Sequence, residues 1–171
     1  TEYHRDRQVP YFQDYVRRYT DMPLLVRLVK KDGRYVPERL LRASDFIDGL
    51  GEDNNPDWKT IGIDEATGDP IVPTGSIGFR WGEQGKWNLE EQKADGAPVK
   101  LRVGLKGAHD EVVEVLFPYF ANTASNGFAS TDHPDTLMRR IPAKRMTLKD
   151  GETLVASVYD LMLANYGVDQ G

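Results

Sequence analysis

Residues 24–36 read LLVRLVKKDGRYV. Leu24 to Lys30 is an almost unbroken aliphatic run of strand length, the pattern of a largely buried strand. Asp32-Gly33 follows, a dipeptide that reaches the positive φ values of a two-residue hairpin turn at little steric cost. Arg34-Tyr35-Val36 is therefore predicted to pair back on the first strand. A second signal of this kind lies near the other end, where Arg145 to Leu148 and Thr153 to Val158 flank Lys149-Asp150-Gly151.

Helical patterns lie outside these hairpins. Pro10 to Tyr19 predicts a helix of about three turns, with Tyr11, Tyr15 and Tyr19 at i, i+4 spacing and Phe12 and Val16 alongside. Pro10 suits the first turn, where its missing N–H costs nothing, and Pro23 breaks the pattern. Tyr159 to Tyr166 predicts a second helix, with Gly167 free to take the left-handed cap conformation. Residues 38–50, ERLLRASDFIDGL, place Leu40, Leu41, Phe46, Ile47 and Leu50 in two helical clusters divided at Ser44-Asp45, with Ser44 as the cap of the second. A Leu-Leu strand followed by a turn is the alternative for this stretch.

The middle of the chain reads as strand and turn. Trp58 to Asp64 predicts a strand, Thr67-Gly68-Asp69-Pro70 a turn, and Ile71 to Pro73 and Ser76 to Trp81 further extended pieces. Val99 to Leu105 alternates, so Val99, Leu101, Val103 and Leu105 share one face that must be covered. Val112 to Phe117 predicts another strand. Residues 121–136, small and polar, are expected to form a mobile loop, with a short helix after Pro134. The fold class expected is α+β: an antiparallel sheet with hairpins and a few short helices, one at each end.

Composition narrows the function. The 171 residues suit one domain, taken as 1–171. The net charge of -5 argues against nucleic-acid binding, which needs clustered Lys and Arg to displace phosphate counterions. With no cysteine there is neither a disulfide framework nor a thiolate-held iron–sulfur cluster. No apolar run reaches membrane-helix length, so no direct membrane insertion is expected. The opening TEYHRDRQ does not resemble a signal peptide, and a chain starting at Thr1 is expected to be cut from something longer.

The chemistry-bearing residues assemble no recognisable site. His4, His109 and His133 lack metal-ligand spacing. His133 between Asp132 and Asp135 reads as a solvated, capping turn, and His109-Asp110-Glu111 likewise. Gly75 to Leu89, GSIGFRWGEQGKWNL, is glycine-rich, yet Gly75, Gly78, Gly82 and Gly85 fit neither GxGxxG nor GxxxxGK[ST]. Its glycines read as turn formers, with Phe79, Trp81 and Trp87 filling a local core or an interface. Glu90-Glu91 and Asp53 lie in polar, loop-like surroundings and read as solvated. Ser44, Ser76, Ser125, Ser130 and Ser157 have no nucleophile elbow. No catalytic, cofactor-binding or metal-ligating residue is predicted, and the candidate interface is Phe79, Arg80, Trp81, Lys86 and Trp87.

Asp14 to Pro23 (DYVRRYTDMP), Asn54-Asn55-Pro56 with Trp58-Lys59-Thr60, Gly75 to Leu89, Phe117-Pro118-Tyr119-Phe120, Val158-Tyr159-Asp160-Leu161 and Leu163 to Gly167 together resemble, in the same order, the catalytic alpha subunits of the respiratory nitrate reductases in the molybdopterin oxidoreductase superfamily. The resemblance covers nearly the whole chain, departing freely only from Asn122 to Met138. It implies an internal segment inserted in a larger α/β molybdopterin enzyme. Such a parent carries a molybdenum bis(molybdopterin guanine dinucleotide) cofactor and an iron–sulfur cluster, and reduces nitrate to nitrite in anaerobic respiration. Its metal and cluster ligands lie N-terminal to the matching region, so none maps onto a residue here.

The resemblance also implies partners: the rest of the alpha subunit and the iron–sulfur beta subunit, in a complex held at the cytoplasmic face of the membrane by a membrane subunit. Alone, the segment is expected to be inactive and to expose apolar surface through which it could dimerise. Two alternatives stand beside this reading. One is an independent module binding an anion or small ligand near Arg80, Lys86 and Trp87; the other is a segment of a related oxyanion reductase.

Overall fold

The computed structural model describes residues 2–52, 55–73, 91–93, 96–117 and 138–171. In chain order its elements are α1 (Glu2–Asp6), α2 (Pro10–Tyr19), β1 (Leu25–Lys31), β2 (Arg34–Leu40), β3 (Gly62–Ile63), β4 (Pro70–Ile71), β5 (Glu111–Leu116), β6 (Met138–Leu148), β7 (Gly151–Ser157) and α3 (Val158–Asn165). The Gly75 to Leu89 string, the 121–136 loop with the helix after Pro134, Asp53, Glu90 and His133 lie outside the described residues.

Both hairpins form where the turn chemistry puts them. Asp32 and Gly33 take φ values of +51° and +78°, the doubly positive turn whose twist matches the flanking strands, and Lys31 faces Arg34 across it. Lys149 and Asp150 make the second two-residue turn, with Leu148 facing Gly151. The hairpins join edge to edge through β1 and β7, antiparallel from Leu25 opposite Ser157 to Leu28 opposite Leu154. β5 adds to β6, and the order β1-β2-β5-β6-β7 closes into a barrel. Every contact between neighbouring strands is antiparallel except the closing one, where β2 meets β5 in parallel at Tyr35 and Val115. The α+β class thus takes the form of a small closed barrel with helices from both ends of the chain.

The aliphatic run of β1, broken only by Arg27 before its terminal lysines, follows from its place in this wall. Val26 and Leu28 share a core with Val113, Val115, Ile141, Ala143, Leu154 and Ala156, the inward positions of four strands, joined by Leu161 and Ala164 of α3. Leu25 points the other way, into an outer layer with Leu41, Ile61, Ile63, Leu105, Met146, Leu148 and Val155. A strand buried on both faces has no room for the polar half of an alternating pattern.

The same geometry overturns the helical reading of 38–42. Leu40 packs on the barrel core while Leu41 enters the outer layer, and the Leu41 N–H donates to the Leu25 carbonyl at 2.8 Å. Adjacent leucines serving two cores require an extended chain, so the strand alternative is the one that forms. A short 3-10 turn, Ala43–Asp45, follows, and its capping carboxylate is Asp45, which accepts from the Arg42 N–H at 2.8 Å. Ser44 does not fill the capping role expected of it.

Two more extended stretches are shorter than predicted. Pro56–Trp58 is a 3-10 turn, and only Gly62 and Ile63 pair as a strand, with Pro70 and Ile71 of β4. The backbone between is used elsewhere: the Lys59 carbonyl accepts from Ala43 N–H and the Ile61 carbonyl from Leu25 N–H, each at 2.9 Å. Val99, Leu101, Val103 and Leu105 are all buried, as their alternation predicts. Their backbone nevertheless forms no named strand: Leu101 bridges Asp64, the Val99 N–H donates to the Glu91 carbonyl at 2.7 Å, and Gly104 at φ +77° ends the extension.

α2 and α3 pack together through Val16, Tyr159 and Leu163, with Val103 beneath and Phe12 and Met22 at the margin. Gln13, Val16 and Arg17 are the buried residues of α2. Its tyrosines face outward: Tyr11 is 81% exposed, Tyr15 51% and Tyr19 59%. α3 ends as predicted, with Gly167 at φ +90°.

Candidate functional site

Three charged side chains are almost fully buried where the helices meet the barrel: Arg5, Arg17 and Asp160. Asp160 is on the first turn of α3, whose N-cap is Ser157. The Ser157 hydroxyl accepts from the Asp160 N–H at 3.0 Å and donates to the Asp160 carboxylate at 2.7 Å. The Leu105 N–H donates to the same carboxylate oxygen at 2.7 Å, and Arg5 of α1 approaches the other at 3.4 Å. Arg5 also lies over the Tyr159 ring, 5.2 Å from its centroid. One carboxylate thus binds together α1, the 104–105 bend and the start of α3.

Gly104 is required at that bend. A Cβ there would stand 3.0 Å from the Asp160 carboxylate and 3.1 Å from the Tyr159 ring, at a φ that side chains avoid. Burial pushes the Asp160 carboxyl above the usual carboxylate range, against the opposing pull of the Ser157 and Leu105 hydrogen bonds and the charges of Arg5 and His109. Arg17 makes a parallel anchor for α2, donating to the Leu101 carbonyl at 2.7 Å and to Glu65 at 2.8 Å.

At the barrel rim, Arg39 grips Asp45 with both guanidinium nitrogens, at 2.8 and 2.6 Å. Burial alone would raise the Asp45 carboxyl; the Arg39 fork, the Arg42 N–H and the Arg39 charge together outweigh it and hold the group below its ordinary value. Asp64 follows the same balance. Its burial is outweighed by Lys93 at 2.9 Å and by the Ala66 N–H at 3.0 Å, and its pKa is lowered. Glu91, read as solvated in the sequence, is half-buried and reaches Arg18 at 3.6 Å. Asp110 accepts from the Arg145 N–H at 2.7 Å, and His109 stands at the Leu105 carbonyl at 3.3 Å.

These groups are placed to hold backbone, and the hydroxyl–carboxylate pair among them, Ser157 with Asp160, is fully buried at a helix N-cap where no substrate reaches it. A cleft of about 270 Å³ beside α1, bordered by Asp6, Gln13, Glu65, Arg102 and Lys106, carries charges of both signs, with Lys106 on Asp6 at 3.3 Å. Among the described residues no group of three His, Cys, Asp or Glu is arranged to hold a metal ion. The chain also has no cysteine to offer an iron–sulfur cluster. The thiolate-held iron–sulfur cluster implied by the family resemblance therefore does not fit the residues of this chain.

The predicted interface residues Phe79, Arg80, Trp81, Lys86 and Trp87 all lie outside the described residues. The large aromatic surface that is described belongs to other positions, chiefly the α2 tyrosines and Trp58, 73% exposed. Sequence reading missed the Asp160 anchor. Its signal was present, since Ser157 and Asp160 have the S-x-x-D spacing of a helix N-cap box.

Fold and polar anchors together define the class: an α+β barrel segment whose helical cap is pinned by buried charges. No protein-family model matches the chain. It is similar to the respiratory nitrate reductase 2 alpha chain of Escherichia coli strain K12, 54% identical over 172 aligned positions that take in 99% of this chain and 14% of the relative. The respiratory nitrate reductase 1 alpha chain of that organism is 49% identical with the same coverage. The nitrate reductase alpha chain of Bacillus subtilis strain 168 is 37% identical, over 99% of this chain and 13% of the relative. The chain corresponds to one segment of the respiratory nitrate reductase alpha chains, matching along 99% of its own length and spanning about 14% of theirs. Among the described residues no helix is long and apolar enough to cross a membrane.

Proposed function

We propose that this chain is a structural and interaction segment of the alpha subunit of a molybdenum-dependent respiratory nitrate reductase, an oxidoreductase that reduces nitrate to nitrite. The carrying observation is the match across 99% of this chain to nitrate reductase alpha chains, at 54% and 49% identity. The way the described polar residues are used supports the structural part of the reading. Asp160, Arg5, Arg17 and Asp45 direct their hydrogen bonds to backbone and to neighbouring side chains of the same segment. The molybdenum cofactor and the iron–sulfur cluster belong to other parts of the parent subunit, which supply the electron and oxygen-atom chemistry.

In this reading the segment docks on the remainder of the alpha subunit or on the iron–sulfur beta subunit, with Phe79, Arg80, Trp81, Lys86 and Trp87 as contact residues. The complex is held at the cytoplasmic face of the membrane by its membrane subunit. The test is turnover: the isolated chain, incubated with molybdenum cofactor, reduced viologen and nitrate, is expected to yield no nitrite above background. Nitrite formation by the segment alone overturns the reading.

A further inference from the structure

We propose that the Tyr11, Tyr15 and Tyr19 face of α2 is a docking surface for the part of the alpha chain outside these 171 residues. This rests on the reading of the chain as an interaction segment and names the surface it uses. The three rings occupy successive i, i+4 positions, about 12 Å of helix, with Tyr15 and Tyr19 centroids 5.6 Å apart. All three are at least half exposed. The helix cannot roll to bury them, because its opposite face is fixed by Val16 in the core and by the Arg17 bonds to Leu101 and Glu65. The charges beside the stripe are already paired, Arg18 with Asp14 at 2.7 Å and with Glu91 at 3.6 Å. Covering the rings therefore strands no unpartnered ion at Asp14 or Arg18.

Area selects the occupant. With about 200 Å² per fully exposed tyrosine, the stripe offers about 400 Å². A stable contact between separate molecules needs about 800 Å² per partner, so a second copy docking here alone falls short by about half. A tethered segment of the same polypeptide loses no further translational freedom on docking and acts at an effective concentration of about millimolar. The relatives supply such a tether, since this chain spans only 14% of their length. The complementary surface is apolar with hydrogen-bond acceptors at its edge, because each ring has an apolar body and a hydroxyl tip.

The test uses the full-length alpha chain that contains this segment, carrying photoreactive p-benzoylphenylalanine in place of Tyr15 or, separately, of Trp58. After irradiation, peptide mapping is expected to join position 15 to peptides outside the 171 residues within the same molecule. A covalent dimer, a cross-link to another subunit, or a cross-link confined to the segment overturns the proposal. So does silence at position 15 while position 58 cross-links outside, an outcome that leaves the interaction-segment reading standing. Silence at both positions removes the two together. Should the substituted chain fail to fold, hydroxyl-radical footprinting of the unsubstituted full-length chain decides. The α2 tyrosines are expected to oxidise about fivefold more slowly than in the denatured chain, as rings brought to about a fifth of their free area would; rates within about twofold overturn it.

Discussion

The barrel is held by apolar packing, whereas its helical cap adds buried charges to an apolar seam. The fully buried barrel interior is aliphatic, from Val26 and Leu28 to Ile141 and Leu154, with the Tyr35 and Phe117 rings at its margin. The cap is fastened by buried charges: Arg5 and Asp160 between α1 and α3, and Arg17 beneath α2. Aliphatic packing is non-directional and tolerates swaps of equal volume. A buried carboxylate with three donors is directional and leaves orphans when any one member goes. The cap is thus the part of the molecule where a single polar atom matters most.

The sharpest way to break this contrast is Asp160→Ala. It orphans the Leu105 N–H and cuts the Arg5 guanidinium off from α3, leaving it only its α1 neighbour Asp6 at 3.0 Å among the carboxylates described around it, and is expected to cost about 3–5 kcal/mol in denaturant unfolding of the chain. A loss near zero would mean the cap is not held by charge. In the barrel, Leu28→Ala is expected to cost about 3 kcal/mol by opening a cavity, while Leu28→Met costs less than about 1.5 kcal/mol. Equal losses for the two would show that the barrel is as shape-specific as the cap.

The pH dependence separates the two regions by sign. Asp160 has a raised folded pKa, so its contribution is complete below the ordinary aspartate value of about 4 and is lost as pH climbs through the folded value. Asp45, at the barrel rim, has a lowered one, so its contribution is present above about pH 4 and is lost as pH falls through the folded value. Stability profiles of Asp160→Asn and Asp45→Asn should therefore flatten opposite limbs of the wild-type curve. Flattening of the same limb by both would refute the assignment. The smallest effect is expected from Arg27→Ala. Its partners, Asp150 on the β6–β7 turn at 2.6 Å and Glu38 at 3.7 Å, are both exposed carboxylates, and the unfolding midpoint should stay within error of wild type.

The barrel was more legible than the cap for a physical reason. Turn dipeptides such as Asp32-Gly33 act locally, and an aliphatic run such as Leu24 to Val29 reports burial directly, so both hairpins and the buried strand could be read. Leu40-Leu41 was ambiguous because two adjacent apolar residues fit a helix face or two sides of a doubly buried strand, and only the tertiary layers decide. Arg5 and Asp160 lie 155 positions apart, and nothing local to either marks the other. The tyrosine spacing in α2 gave the helix but not which face is inward, because two of the three residues that mark that face, Gln13 and Arg17, are polar yet buried. The candidate interface at Phe79 to Trp87 was read from composition alone, without the position of a surface.

The parallel seam between β2 and β5 sets the order in which this chain can fold. Each hairpin joins neighbours a few residues apart, whereas Tyr35 and Val115 must close a loop of 80 positions for a single residue pair in register. Loop closure of that length is slow and entropically costly before any contact repays it. The seam is therefore a late event, formed after both hairpins. Val115→Ala should accelerate unfolding while leaving the refolding rate nearly unchanged, a φ-value near zero in stopped-flow measurements. A value near one would place barrel closure in the nucleus.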